Sequence, residues 1–260
     1  AYPMYHYHRP GTSHWQFNNF DAALNYKKTF LTQGRELTSD IYYSQRNSTD
    51  FDNYHQISFL DYNQNYYQET HTKELNRNLS AQLDFVTPVG NGGRIETGYK
   101  FSYRAVGQDY SLYDGLDSVS STLDSSQLNN FYYTEYLNAL YFIYSNTFWK
   151  KLKVQVGLRG EMANTISDLR SADTAYHFNY YNLFPTLHLK YDITPEHSLQ
   201  LSYSRRVTRP NIRQLNPFID YSDKENLSMG NPYLEPEFAN SFEFGYLYNK
   251  DKTSFTFTAF

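Results

Sequence analysis

The sequence predicts an all-β fold, an antiparallel transmembrane β-barrel segment of about ten strands. Three observations predict it. Apolar and polar residues alternate with a period of two along much of the 260-residue chain, the connections between these segments alternate between short and long, and the chain holds 28 Tyr and 19 Phe. A period of two is typical of a strand with one face in an apolar environment and the other in a polar one.

The composition favours a membrane strand over a water-soluble core. Aromatic residues make up 19% of the chain, while its mean hydropathy is -0.73. Rings with a flat apolar face and a polar edge suit a membrane interface, whereas soluble cores of this size are usually rich in Leu, Val and Ile. No run of about eighteen apolar residues is present, which excludes a spanning helix by length. A closed sheet is the other way to satisfy every backbone group inside lipid.

Several function classes are excluded by what the sequence lacks. The absence of Cys removes disulfides, zinc-thiolate sites and cysteine nucleophiles. A net charge of -4 is too small to indicate a nucleic-acid partner. No GxSxG, HExxH or P-loop motif occurs in the sequence. We therefore predict no enzyme activity, no catalytic residues and no cofactor.

The alternation identifies most of the strands. It is cleanest in four segments, residues 79–85, 153–161, 187–191 and 199–204. Further strands are expected over residues 37–44, 95–104, 242–248 and 255–260. Residues 136–144 are apolar at both parities, so the sequence assigns neither face of that strand.

The connections fall into two kinds that alternate along the chain. Short turns are predicted at residues 32–35, 90–93, 149–151, 194–197 and 250–252. Long polar loops are predicted at residues 47–73, 109–130, 169–179 and 211–237. Short periplasmic turns and long extracellular loops are typical of outer-membrane barrels. A soluble β-sandwich or propeller also alternates, but it does not account for this pattern or for aromatic residues near the strand ends.

Tyrosines in the expected long loops are the first candidate ligand contacts. Their rings stack on sugars or flat chelates, and their hydroxyls form hydrogen bonds. The loops contain Tyr54, Tyr62, Tyr66, Tyr67, Tyr110, Tyr113, Tyr132 and Tyr133. The predicted ligand contacts among them are Tyr66, Tyr67, Tyr110, Tyr113 and Tyr132. Packing of these rings within the loops is the alternative.

An arginine cluster is the second candidate. Arg205, Arg206, Arg209 and Arg213 are close in sequence, and guanidinium groups bind phosphate in a bidentate manner. We predict that Arg205, Arg209 and Arg213 contact an anionic ligand or lipopolysaccharide phosphate. A structural network at the barrel rim is the alternative.

A histidine group and an acidic group are candidate metal ligands, but neither has the pattern of a metal site. The His6, His8 and His14 side chains include an i, i+2 pair, but no carboxylate is close in sequence. The acidic residues Asp220, Asp223 and Glu225 lack the spacing and central Gly of an EF-hand. The sequence therefore predicts no metal site.

A family resemblance emerges in the last third of the chain. The segments are YNLFPT at 181–186, HSLQLSYSRRVTRPN at 197–211, LNPFIDY at 215–221 and GNPYLEPE at 230–237. Their order resembles the C-terminal barrel of TonB-dependent receptors, in particular the outer-membrane β-barrel group. Residues 25–30, 34–37 and 155–161 agree more loosely, so the resemblance spans most of the chain.

The resemblance implies a location in the Gram-negative outer membrane and uptake of a scarce small molecule or oligosaccharide, such as an iron chelate or glycan. Its implied partners are outer-membrane lipid, the TonB system acting through a plug, and a surface lipoprotein. Such receptors have 22 strands around a plug, more than about ten strands supply. Residues 1–9 also lack an export signal. We therefore expect residues 1–260 to be one partial barrel domain, an internal fragment. A soluble or surface β-module that binds glycans through Tyr-rich loops is the alternative function.

Overall fold

A computed structural model describes residues 7–59, 65–219 and 227–260. Over these residues, twelve antiparallel strands form one sheet. They are β1 (Tyr7–His8), β2 (Gly11–Thr29), β3 (Glu36–Ser58), β4 (Tyr66–Val89), β5 (Gly93–Gly115), β6 (Thr122–Leu123), β7 (Asn129–Phe148), β8 (Leu152–Leu169), β9 (Thr174–Asp192), β10 (His197–Thr208), β11 (Glu237–Lys250) and β12 (Thr253–Ala259). One short helix, α1 (Ile212–Leu215), and two 3-10 turns complete this part of the chain. None of its helices has the length and apolarity to cross a membrane.

The long strands form a simple meander. Each pairs with the long strand before it and the long strand after it, from β2 to β12, while β1 and β6 add two residues each to β3 and β5. Ten of the strands are therefore long, which confirms the predicted number. The sheet is open, with β2 and β12 as its outer long strands.

Cross-strand register separates the sheet into two chemically distinct faces. Pairing is unbroken between neighbours, so residues of one parity stay on one face. Leu24, Ile41, Ala81 and Phe101 are successive partners on the apolar face. The polar face carries the successive partners Asp40, Gln82, Lys100, Ala139, Glu161 and Asn182. This arrangement is what the period of two predicts.

The register also resolves β7, where the sequence left the faces open. Tyr136 pairs with Tyr103, and Leu140 pairs with Tyr99, which places both on the apolar face. Tyr141 pairs with Gly98 on the polar face, where its hydroxyl donates a hydrogen bond to Asp84. Tyr141 on the polar face therefore has a hydrogen-bond partner for its hydroxyl, whereas Leu140 on the apolar face has no polar group that needs one.

The strands are longer than a bilayer requires. β4 has 24 residues, roughly 80 Å at the rise of a strand, against about 30 Å of hydrocarbon. On the apolar face, the row of Tyr43, Leu79, Tyr103 and Tyr136 is followed by a row that includes Gln45, Arg77 and Thr134. We therefore place the membrane boundary at the tyrosine row, an aromatic belt. Beyond it the strands continue into water.

Three of the predicted long loops are wrong in extent for this reason. β3 continues to Ser58 and β4 begins at Tyr66, so most of 47–73 is strand. β5 runs to Gly115, and the connection after β8 is little more than a 3-10 turn at Arg170–Ala172. Outside the membrane a strand needs no apolar face, so both of its faces carry polar residues. Such a sequence has no period of two and is therefore predicted as a loop. Residues 211–237 do form a long connection.

The sequence did not predict most of β2, because apolar and polar residues do not alternate regularly over its residues 11–24.

The five predicted short turns are confirmed. In the turn from β7 to β8, Phe148 accepts a hydrogen bond from the backbone of Lys151 at 3.0 Å. The two central residues, Trp149 and Lys150, have φ of 51° and 59°. Positive φ at both positions is the requirement of a type I′ turn, which Asn-Gly satisfies best.

We expect Lys150→Gly to raise the free energy of unfolding by about 1 kcal/mol, because it removes the cost of a side chain at positive φ. Equilibrium unfolding in urea, with the protein in lipid vesicles, measures the change. Lys151→Gly is the control one residue away. Lys151 lies outside the positive-φ residues, so this glycine is expected to destabilise. A stability loss in Lys150→Gly would contradict the strain argument.

Candidate functional site on the polar face

Arg209 ties the described part of the β10–β11 segment, residues 209–219 and 227–236, to the polar face. Its Nη2 donates to Glu161 Oε2 on β8 at 2.6 Å, and its Nε lies 3.8 Å from Glu135 Oε2 on β7. Arg159 also donates to Glu161, through Nε to Oε1 at 2.7 Å. The Glu161 side chain is only 7% exposed. One buried carboxylate thus joins two guanidinium groups, and one of these belongs to the segment.

An apolar cluster continues the attachment. Leu215 of α1 is buried together with Phe131 and Tyr133 of β7 and Leu169 of β8. Phe131 has no exposed surface. These β7 and β8 residues share the parity of Glu135 and Glu161, so they lie on the polar face. That face is therefore locally apolar where the segment covers it.

Parts of three motifs that carry the resemblance contact one another, at residues 211–216 and 230–231. Asn211 caps α1, because its Oδ1 accepts from the Gln214 backbone at 3.1 Å and its own N–H donates to Gln214 Oε1 at 2.9 Å. The Gly230 N–H donates to Asn216 at 2.8 Å, and Asn231 donates to Gln214 at 2.6 Å. A Cβ on Gly230 would lie 2.6 Å from backbone oxygens of Arg213, Gln214 and Asn216. Only glycine fits this contact.

Aromatic rings attach the segment at two further points. Tyr233 packs edge-on against Tyr176 and Phe178 of β9, with centroid distances of 5.2 and 6.4 Å. Phe218 contacts Tyr110 of β5 at 6.3 Å. Ion pairs, an apolar cluster and ring contacts therefore hold the segment against β5, β7, β8 and β9, on the polar side of the wall.

The predicted arginines do not form one anion site. Arg209 is engaged with glutamates, as the rim-network alternative expects. Arg205 lies on the apolar face of β10, in line with Leu201 and Tyr203, with its guanidinium 4.7 Å from the centre of the Phe238 ring. Arg213 is exposed on α1. Ligand contact by Arg205, Arg209 or Arg213 stays a prediction.

The predicted tyrosines are also divided, and they lie in strands. Tyr66 and Tyr110 are on the polar face, while Tyr67, Tyr113 and Tyr132 are on the other. The Arg9 guanidinium lies 5.8 Å from the Tyr66 ring centre. Tyr67 donates a hydrogen bond to Glu69 at 2.8 Å. Tyr113 contacts the ring of His71, with centroids 5.1 Å apart.

Tyr132 has partners for both its ring and its hydroxyl, and ligand contact by this residue stays a prediction. Its ring fills the space beside Gly107, where a Cβ would come within 2.6 Å of it. The Arg170 guanidinium lies 3.7 Å from the ring centre, and the hydroxyl donates to Asp109 at 2.8 Å. Burial and the Asp109 carboxylate raise the pKa of Tyr132, which keeps this phenol a donor. A ring laid over a cross-strand glycine is a structural device of sheets.

Some candidates lie outside the described residues, namely Tyr62, His6, Asp220, Asp223 and Glu225. Among the residues that are described, no three His, Asp or Glu side chains form a metal-binding group.

A second feature of the polar face is a cleft of 600 Å³ near the short turns. Lys153, Gln155, His188, Lys190 and Glu243 contribute to its lining. Charged and amide groups thus also line the end of the polar face that is near the short turns.

The chain matches the outer membrane protein beta-barrel family over residues 28–260. No curated protein matches the sequence. Similar solved structures include the ferric preacinetobactin receptor BauA from Acinetobacter baumannii, with 12% identity over 95% of this chain and 37% of that one, at a TM-score of 0.54.

Two other similar structures are the copper transporter OprC and the ferric enterobactin receptor PfeA. OprC has 13% identity over 92% of this chain and 43% of its own, at a TM-score of 0.53. PfeA has 14% identity over 95% of this chain and 42% of its own, at a TM-score of 0.52. The chain thus spans about two fifths of these proteins. It belongs to the outer membrane protein beta-barrel family, with the fold of TonB-dependent receptor barrels, and is located in the Gram-negative outer membrane.

Proposed function

We propose that this chain supplies wall and extracellular surface to a TonB-dependent receptor that takes up a scarce solute. One observation carries the proposal: in a chain of an outer-membrane barrel family, ion pairs, an apolar cluster and ring contacts attach a segment to the polar face, the face that lines the interior of such barrels. Interior residues determine selectivity in such barrels. The similar structures are a copper transporter and receptors for ferric preacinetobactin and ferric enterobactin, which supports an uptake role here.

A receptor of this kind is larger than these 260 residues. Ten long strands make up less than half of a 22-strand barrel, and the chain spans a similar share of its structural neighbours. We propose that residues 1–260 are one slice of the barrel, with the plug and further strands elsewhere. The plug would contact TonB, the apolar face would contact lipid, and a surface lipoprotein is a further proposed partner.

The apolar face argues against the soluble glycan-binding module. Leu140 is 65% exposed, Leu183 58% and Phe242 65%, and all three lie on that face. A soluble module would leave this band in water, where contiguous apolar surface promotes association. We propose no catalytic role for the chain.

Deletion of the parent gene in its host tests the proposal. The deletion strain is grown on a panel of single iron sources, metal ions and single glycans, beside a strain that lacks TonB. We expect both strains to lose growth on the same source, and the parent gene to restore it in the first. Unchanged growth of the deletion strain on every source would overturn the proposal.

A further inference from the structure

Two aromatic residues of β2 break the separation of the faces. Trp15 pairs with Asp50 and Phe17 pairs with Ser48, so both rings lie on the polar face. They are 51% and 44% exposed, as expected on β2, an outer strand of the open sheet in which every residue is exposed. The face pattern calls for polar side chains at this parity, and β2 does carry Ser13 there. Local departures from a consistent pattern are expected at functional sites.

The two rings form a fixed surface. Their centroids are 4.6 Å apart, with an interplanar angle of 33°. The Arg46 guanidinium of β3 lies 5.3 Å from the Trp15 ring centre and 4.9 Å from that of Phe17. Cation–π attraction at these distances orients both rings. We call Trp15, Phe17 and Arg46 the aromatic shelf.

The shelf lies outside the membrane. Ala22 pairs with Tyr43 of the boundary row, and Trp15 is seven residues further along β2, roughly 23 Å at the rise of a strand. It lies on the same side of the boundary as the β10–β11 segment, and on the same face. A solute arriving from outside would therefore meet it before reaching the membrane-embedded wall.

The surrounding charge distinguishes between ligand classes. Asp21, Asp50, Asp52 and Glu74 share the face around the shelf. Arg46 belongs to the shelf, and Arg9 lies further along, with its guanidinium 4.8 Å from the Tyr54 ring centre. Carboxylates thus outnumber guanidinium groups. An anionic chelate would be repelled by this surface, whereas a neutral polyol would find acceptors for its hydroxyl groups.

We infer that the aromatic shelf is a subsite for a neutral sugar unit. The apolar face of a pyranose ring would stack on Trp15 and Phe17, as flat apolar surfaces pack on aromatic rings. Its hydroxyls would donate to Asp50 and accept from Arg46, the planar polar groups at the edge. This inference rests on the proposed uptake function, for which it names the substrate class as an oligosaccharide.

The test uses the full-length parent protein, purified in detergent and applied to an array of neutral oligosaccharides. The dissociation constant of a retained glycan is then measured by calorimetry for the parent, Trp15→Ala, Phe17→Ala and Phe20→Ala. Phe20 is the matched control, because it lies on the same strand, is 61% exposed and faces the opposite side. We expect binding at least tenfold weaker in Trp15→Ala and Phe17→Ala, and unchanged in Phe20→Ala.

Two results would overturn the shelf: no neutral glycan retained by the parent protein, or equal dissociation constants for the parent and Trp15→Ala. Its failure is distinguishable from failure of the uptake function. TonB-dependent growth on a ferric chelate that is unaffected by Trp15→Ala would leave the uptake function standing without the shelf. Glycan binding that depends on Trp15, together with growth that does not depend on TonB, would support the shelf and contradict the uptake function.

Discussion

Glu161→Gln is expected to lower the free energy of unfolding by about 3 kcal/mol, the cost of breaking a buried ion pair. The substitution preserves shape but removes the charge that Arg209 and Arg159 share, at 2.6 and 2.7 Å. Because Arg209 anchors the β10–β11 segment, we also expect faster proteolysis within residues 209–236. Urea unfolding of the parent protein in lipid vesicles and mass-mapped limited proteolysis measure the two effects.

Glu36→Gln is the control for this experiment. Its ion pair with Lys27 has the similar length of 2.7 Å, but the two side chains are 33% and 58% exposed. Exposed pairs contribute little to stability, so no measurable change is expected. Equal effects of the two substitutions would show that the Glu161 cluster does not hold the segment.

Gly230→Ala is expected to destabilise the folded segment by roughly 3 kcal/mol through overpacking. The added methyl would meet three backbone oxygens at 2.6 Å, and backbone cannot move aside as a flexible side chain can. The segment should therefore leave the polar face while the strands stay paired. We expect new cleavage sites within 209–236, with little change in the β-signal by circular dichroism.

Gly160→Ala supplies the comparison. The nearest atom to its added methyl is Leu183 Cδ2 at 3.6 Å, an ordinary van der Waals contact. This variant should match the parent protein in stability and in cleavage pattern. If Gly230→Ala also matched the parent, the segment would not be packed as the structure shows.

Local chemistry made much of the wall predictable. Residues 79–85 alternate because lipid is on one side and polar surface on the other, so each residue reports its own face. The turn at Gly90, with φ of 57°, is likewise a local requirement. Beyond the tyrosine row neither face contacts lipid. The outer parts of β3, β4 and β5 are therefore polar at both parities, and the sequence does not distinguish them from loops.

The candidate site depended on partners distant in sequence. Tyr132 was predicted to contact ligand, but its ring is engaged by Gly107 and Arg170, which a Tyr in a polar stretch does not reveal. Arg209 and Glu161 are 48 positions apart, and only the folding of the β10–β11 segment brings them together. The sequence did not predict a role for Trp15 and Phe17, because apolar and polar residues do not alternate regularly in β2.

The sequence by itself determined the class of fold, the number of long strands, the short turns and the family, because each follows from neighbouring residues or from a run of motifs. Only the tertiary structure decided which face each side chain occupies and how the β10–β11 segment packs. It also brought Trp15, Phe17 and Arg46 into one surface. These outcomes depend on register, and register is a relation between strands that no single stretch of sequence contains.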